Sequence, residues 1–573
     1  MNADFFRASK YLIMRDGTAL SSYIYSLKPL EELNANPSPL LWSFDRYHSV
    51  LLHSEGLSES RFSSSSSSKN YSFGSKNLIL WLQTILNAGY IVSFVDVRGS
   101  GASFGYSNWA FGPEEALDSY DIVESFSSES WCNGKIGMFG RSYKGITQLF
   151  ASAKPHPNLK VICPEMAYGD LYAFAFCGGI FRNDFIYQWN RRVQYLALKS
   201  KALPVDQDFD ATNLRQAQIQ HYANKDNYEA LKGLRFRNAS DKESGEKIYE
   251  TRSPLMYKEA ISRENLPMLH ISGWFDLWIK DALLMFKNFS NDQQLIIGPW
   301  AHQGCQGVEL ANLHVKWFDN WLSKNRQKHP KKSCIHYFTM GETVRSPWKK
   351  TCHWPLKNQV SYKLYCSHSD SNIQNGTLQK KVGFGGCRTY QVNPTCTSGK
   401  ATRWTNGYGG EFSYPDMSEN EAKSCCFTSE KSKEKMEITG HPLVTLWLST
   451  KNTSIDCFVY LSDVYPDGFS QYITEGQIKL SHRKLSKPPY DTFGLPYHSG
   501  LQDDLLPPCE EPEEVIIDLL PTSYVISKEH SLRISMNAAD INNAELCEQK
   551  GEFRIYYGKR HPSNIQLPML PIE

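Results

Sequence analysis

Residues 77 to 164 alternate between helix signals and buried-strand signals, and that rhythm leaves few folds open. Leu78 to Asn87 reads as a helix. Tyr90-Ile-Val-Ser-Phe-Val-Asp96 is an almost unbroken apolar run, the pattern of a strand covered on both faces. Pro113 to Ser125 predicts a second helix: proline suits a first turn, and Glu114, Glu115 and Asp118 lie near its positive end. Lys135-Ile-Gly-Met-Phe-Gly140 and Leu159 to Pro164 are further strand candidates. Strands and helices in this order imply βαβ units around a parallel sheet, an α/β fold class.

The rest of the chain departs from that rhythm. Ahead of it, Lys10 to Tyr25 predicts a hairpin turning at Asp16-Gly17. Ser63 to Ser68 is an uninterrupted serine run that reads as a loop, with nothing to bury. From about 168 to 260 the chain is polar and helix-favouring, as in Asn213 to Tyr222 and Tyr228 to Gly233. Strand signals return at Leu266 to Ser272 and Gln293 to Gly298. Helices inserted between two parts of one sheet often cap a site at the C-terminal strand edge. Beyond about 355, short strands follow one another without helices: Leu443 to Ser449, Cys457 to Leu461, Leu532 to Met536 and Phe553 to Tyr557. They indicate an all-β sandwich or jelly roll. The 573 residues, at roughly 100–200 per domain, leave room for three or four units. The division expected is an α/β core at 1–165 and 263–352, a helical cap at 166–262, and a jelly roll at 353–573.

Composition excludes several roles. Lys and Arg number 62 against 60 Asp and Glu, a formal charge of +2, which argues against a nucleic-acid surface. The longest strongly apolar stretch, Leu171 to Phe181, is shorter than the about 20 residues that span a bilayer, so no membrane partner is expected. Met1 to Arg7 lacks the basic-then-apolar order of a secretory leader. The expectation is a cytoplasmic protein. Its 14 cysteines contain no C-x-x-C pair, so no zinc or other metal is expected and most should be reduced thiols. Aromatic residues make up 13% of the chain, which suggests large cores, aromatic-lined pockets, or both.

Chemistry concentrates at Gly140-Arg-Ser-Tyr-Lys-Gly145, between a predicted strand and a predicted helix over Ile146 to Ala153. A serine on such a turn stands out at the top of the sheet, beside helix N–H groups able to receive an anion. The spacing departs from the general G-x-S-x-G elbow, because Lys144 holds the second glycine position. A serine hydroxyl needs a histidine base and a carboxylate to orient it, in the chain order Ser, acid, His. Asp276 follows the strand that includes His270, and His302 follows the strand of Ile296 and Ile297. Asp281 and Asp292 are rivals for the acid, and His270 and His314 for the base; His270, inside an apolar strand, reads as core.

These segments resemble the cocaine esterase / X-prolyl dipeptidyl peptidase group of α/β-hydrolases. The resemblance is carried by Met14 to Gly17, Asp96 to Gly101, Trp131 to Gly145, Gly273 to Asp276, Gly298 to His302 and Trp317 to Leu322. Ile438 to Pro442, Asp463 to Gly468 and Tyr497-His498 carry it into the C-terminal part. The shifted glycine is a feature of that group. The resemblance implies an α/β-hydrolase core with an inserted cap and a C-terminal jelly roll, and a serine hydrolase without cofactor. It implies Ser142 as nucleophile, His302 as base, Asp276 as orienting acid, and an oxyanion hole of the Tyr143 backbone N–H and the Tyr47 hydroxyl, with His48 a competitor.

The expected substrate is a small-molecule ester, with an amide next. X-prolyl dipeptidyl aminopeptidase, α-amino-acid ester hydrolase and acyltransferase are the alternatives. Relatives that bind an α-amino group place carboxylates near the site. Here the stretch after His302 has only Glu309, though Asp170 and Asp184 lie in the insertion. Tyr172, Phe176, Trp189, Trp274 and Trp278 are candidates for the substrate pocket, and equally for core. The jelly roll could wall the site or mediate a homodimer.

Overall fold

The computed structural model describes residues 5–47, 76–199, 202–323, 333–368, 375–452, 455–546 and 551–571. His48 and the serine run at Ser63 to Ser68 lie outside them.

A sheet of ten strands runs through the N-terminal part. Its elements, in chain order, are β1 (Phe6–Ile13), β2 (Ala19–Ser26), β3 (Ser38–Asp45), α1 (Lys76–Asn87), β4 (Ile91–Asp96), α2 (Pro113–Ser127), β5 (Cys132–Arg141), α3 (Tyr143–Ala153) and β6 (Leu159–Glu165). An excursion then carries α4 (Leu171–Ala175), the small pair β7 (Phe176–Cys177) and β8 (Ile180–Phe181), α5 (Asn183–Lys199), α6 (Thr212–Gln220), α7 (Asn227–Gly233), α8 (Ile248–Thr251) and α9 (Lys258–Glu264). The sheet resumes with β9 (Met268–Phe275), α10 (Ile279–Asn288), β10 (Gln293–Ala301), α11 (Gly307–Leu322), β11 (Cys334–Phe338) and β12 (Trp348–Thr351). The strand order is β1-β2-β4-β3-β5-β6-β9-β10-β11-β12. Pairings from β4 through β11 are parallel, while β1 with β2, β2 with β4 and β11 with β12 are antiparallel.

Burial explains the apolar runs. Every residue of β4 is buried, because helices cover both faces of the sheet. Trp81, Leu82, Phe139, Trp317 and Phe318 pack on the side of α1 and α11. Trp42, Ile122, Phe126, Leu149, Tyr168 and Tyr249 pack on the side of α2, α3 and the excursion. The apolar stretch Leu171 to Phe181 folds as α4 and the β7–β8 pair, and no helix of the described residues is long and apolar enough to cross a membrane.

The C-terminal part is β-rich, and its pairings are antiparallel except for Asn375–Gln379 beside Cys425–Ser429. Val444, Leu446, Val459, Ile534, Phe553 and Leu567 fill its interior. Leu532, Ile534 and Met536 lie buried on one face of Ser531–Asn537, as their alternation predicts. Ser535 on the other face is buried as well, because the strand runs between Cys425–Ser429 and Asp456–Val464.

Candidate active site

β5 ends at Arg141 and α3 begins at Tyr143, so Ser142 alone makes the turn. Its φ of 62° and ψ of −121° lie outside the regions an L-residue ordinarily occupies. Such a conformation costs on the order of 1–3 kcal/mol and persists where its surroundings fix it. Here the Ser142 N–H donates to the Glu165 carbonyl at 2.9 Å, and the Ser142 carbonyl accepts from Gly145 at 2.8 Å and Ile146 at 2.9 Å. Close approach explains both glycines. A Cβ at Gly140, where φ is 128°, would lie 2.6 Å from Lys144 Cβ. A Cβ at Gly145 would lie 2.6 Å from the Glu165 carbonyl oxygen. The second glycine therefore falls three residues after the serine, where α3 presses on β6. Lys144 reaches Asp45 Oδ2 at 2.8 Å, and burial lowers its ammonium to about 8.

The acid and the base lie beyond neighbouring strands. Asp276 follows β9 and His302 follows β10, both fully buried. Asp276 Oδ1 lies 2.6 Å from His302 Nδ1, and Oδ2 accepts the Trp278 N–H at 3.0 Å. His302 Nε2 has no hydrogen-bond partner among the described residues. The Trp278 ring stands edge-on to His302, with centroids 5.2 Å apart.

Tyr47 follows β3, the parallel neighbour of β5. Its hydroxyl receives the Trp189 indole N–H at 2.9 Å. Burial raises its phenol pKa, while Trp189, Arg192, Arg46 and Ser142 act to lower it. Tyr143 opens α3, so its N–H has no acceptor within the helix. Its buried hydroxyl donates to Glu115 Oε1 at 2.5 Å. Burial pushes the Glu115 carboxyl up to about 7, against the Tyr143 hydrogen bond and the Arg46 charge. Phe111 packs on the Tyr143 ring at 4.2 Å and bridges to Tyr168 and Trp189.

The remaining candidates separate. Trp189 and Trp278 join the site through Tyr47 and His302. Trp274 turns away: its indole donates to the Phe338 carbonyl at 2.5 Å and packs on Tyr337 and Trp354. Tyr172 stacks on Phe176 and meets Tyr249 and Arg237, in the packing that holds the excursion down. Alternation and composition could not separate these cases, because a large aromatic reads alike in a pocket and in a core. Among the rivals, His270 accepts its place in the core beside Gln293, at 3.1 Å, and burial lowers it to about 4. Asp281 receives the Gly169 N–H at 3.0 Å, and Asp292 is exposed. His314 lies 3.1 Å from Glu165 Oε1 and accepts the Trp81 indole N–H at 3.1 Å.

Cys163, Glu165 and His314 are close enough together to hold a metal. Two of the three are engaged elsewhere: Glu165 faces His314 and, at 3.5 Å, Arg141, and His314 Nδ1 accepts the Trp81 indole N–H. Burial works to raise the Glu165 carboxyl, but its contacts with His314 and the nearby Arg141 and Lys144 hold it below its ordinary value. The cluster braces β6 behind the turn at Ser142.

Two residues that sequence reasoning missed come from the C-terminal part. Arg403, fully buried, donates through Nη1 to the carbonyls of Trp274 at 3.3 Å and Asp276 at 3.1 Å. Asn406 Oδ1 accepts the Gln303 N–H at 2.9 Å. Their short helix carries the local signature of a capping box between Thr402 and Thr405, but nothing in the sequence marks its target more than a hundred residues away.

The strand order, the cap excursion and the strained serine turn define an α/β-hydrolase. Family models for the X-Pro dipeptidyl-peptidase (S15 family) and for its C-terminal non-catalytic domain match residues 16–304 and 326–566. The chain belongs to that family, and it is a serine hydrolase. It is 31% identical over 536 residues to the "Putative serine esterase" of Mycobacterium bovis, covering 84% of each chain. It is 24% identical over 541 residues to the cocaine esterase of a Rhodococcus species, covering 86% of this chain and 90% of that one. Its fold matches a CocE/NonD family hydrolase from Staphylococcus aureus with a TM-score of 0.72 at 19% identity, over 99% of this chain and 94% of that one. An α-amino acid ester hydrolase matches with the same TM-score and identity, over 99% of this chain and 97% of that one.

Proposed function

We propose that the chain hydrolyses a small carboxylic ester through an acyl-enzyme on Ser142. The observation that carries this is the 2.6 Å contact of Asp276 with His302 Nδ1, which leaves Nε2 for proton transfer. In this mechanism His302 Nε2 takes the Ser142 hydroxyl proton as Oγ attacks the ester carbonyl. Asp276 fixes the tautomer and stabilises the imidazolium. The Tyr143 N–H and Tyr47 hydroxyl donate to the oxyanion, which forms only after attack. His302 then returns the proton to the departing alkoxide. Water attacks the acyl-enzyme by the same route, releasing the acid and restoring Ser142.

Phe111, Tyr168, Phe174, Trp189 and Trp278 contact one another around Tyr143 and His302, which favours an apolar acyl group. An X-prolyl dipeptidyl or amino-acid ester substrate needs a carboxylate for its amino group. Asp170 is committed to Arg237 at 2.8 Å and Tyr490 at 2.8 Å, and Glu309 is exposed on α11, so the simple ester is favoured. We further divide the chain into core (1–165, 263–352), cap (166–262) and β-domain (353–573), a reading supported by β12 ending at Thr351. The described cysteines are all free thiols, which supports a reducing, cytoplasmic setting.

A panel of acyl esters and a Gly-Pro anilide, with product analysis in the presence of competing amines and alcohols, tests the proposal. Ester hydrolysis should dominate. Ser142→Ala should abolish it, and Tyr47→Phe should lower kcat by about 10²–10³. Preference for the anilide, acyl transfer in place of hydrolysis, or full activity in Ser142→Ala would contradict it.

A further inference from the structure

The β-rich C-terminal part reaches the loops of Asp276 and His302 through one short helix. The helix Arg403–Asn406 sits against both loops that carry the acid and the base. Arg403 binds the carbonyls of Trp274 and Asp276, which fixes the backbone of the acid loop. Three residues on, Asn406 accepts the N–H of Gln303, the residue after His302, at 2.9 Å, and the Asn406 carbonyl lies 3.4 Å from Gln303 Nε2. One short helix thus holds both ends of the Asp276–His302 contact.

That helix is itself anchored. The Thr402 N–H donates to Thr405 Oγ1 at 2.9 Å, and Thr402 Oγ1 donates to Asn543 at 2.7 Å. The Trp404 indole donates to Glu475 at 2.7 Å, and the cap's Arg182 lies over the Trp404 ring at 3.4 Å. Arg403 Nη2 donates to the Tyr472 hydroxyl at 2.9 Å. The Asn406 amide donates to the Gly410 carbonyl at 2.7 Å, which directs its oxygen toward Gln303. A buried arginine is costly unless its donors find partners. Here two of those partners are the carbonyls that place the acid. A small displacement of either loop would lengthen the 2.6 Å contact, and misplacement near 1 Å can cost about 10²-fold in rate.

We propose that Arg403 and Asn406 are positioning residues for the triad, so that the C-terminal domain sets the distance between acid and base. The proposal rests on the assignment of Ser142, Asp276 and His302. It predicts a defect confined to chemistry, because neither side chain has a hydrogen bond to the aromatic residues assigned to the substrate.

The test uses the full chain with Asn406→Ala, Asn406→Asp and Arg403→Lys, each at a temperature where its unfolding curve shows it fully folded. The readouts are the rate at which a fluorophosphonate labels Ser142, and kcat and KM for an ester. Asn406→Ala should label roughly ten- to a hundredfold more slowly, with kcat reduced to match and KM unchanged. Asn406→Asp keeps an acceptor for Gln303 but loses the donor to the Gly410 carbonyl that directs it, so it should recover only part of the rate. Arg403→Lys, whose single ammonium cannot reproduce the guanidinium's fork, should fall between. Wild-type labelling in both Asn406→Ala and Arg403→Lys, or a raised KM with unchanged kcat, would overturn the proposal. Absence of Ser142 labelling in the wild type would instead overturn the catalytic assignment beneath it.

Discussion

Beside the strained turn at Ser142, burial raises the pKa of Glu115. Tyr143 supplies its backbone to the proposed oxyanion hole and its hydroxyl to Glu115, so a neutral Glu115 suits a site where negative charge must develop. Burial places that carboxyl near 7, above the ordinary 4.5 of the unfolded chain. The folded state then binds a proton that the unfolded state releases. The stabilising contribution is complete below about 4.5 and disappears as pH rises through about 7. Unfolding by urea should show the stability of wild type relative to Glu115→Gln falling by a few kcal/mol from mildly acid to mildly alkaline pH. Taking the difference cancels His270, which titrates in the opposite sense. A difference that does not vary with pH would show Glu115 charged throughout. The positions of Ser142, Asp276 and His302 were legible in the sequence, because each follows a strand in the order the proposed chemistry requires. Glu115 was legible only as a helix-start acid, since its partner Tyr143 is reached through the fold.

At the scale of elements, the strand–turn–helix unit was read in outline and its tightness was not. The helix begins at Tyr143 rather than Ile146, because one strained residue accomplishes the whole turn. The shifted glycine, a family feature in the sequence, has a spatial reason: Gly145 lies against the Glu165 carbonyl. Gly145→Ala should therefore force α3 and β6 apart. The expected cost is about 1–3 kcal/mol, with a larger fractional loss in kcat than in folded protein, measured by thermal unfolding alongside ester turnover. An unchanged kcat would show that the turn tolerates the displacement. β3 and α5 escaped sequence reading, and they bring Tyr47 and Trp189 together at 2.9 Å. The first is a single strand of eight residues that ends two residues before Tyr47, and the second carries a row of aromatics whose pocket and core members look alike.

Over the whole molecule, length and element order were enough to anticipate a parallel core, an excursion and a β-rich C-terminal part. What they could not convey was contact between distant segments. Arg403 and Asn406 touch the loops of Asp276 and Gln303 across separations of more than a hundred residues. Trp274 packs at the seam with Trp354 for the same reason. The central claim is that all three parts converge on one activated serine. The most direct measurement is fluorophosphonate labelling of the folded full-length chain, followed by peptide mass mapping, in wild type and in His302→Ala. A single adduct on Ser142, formed at least about a hundredfold more slowly without the base, is the result this account predicts. No adduct on Ser142, or labelling at the same rate in His302→Ala, would contradict it.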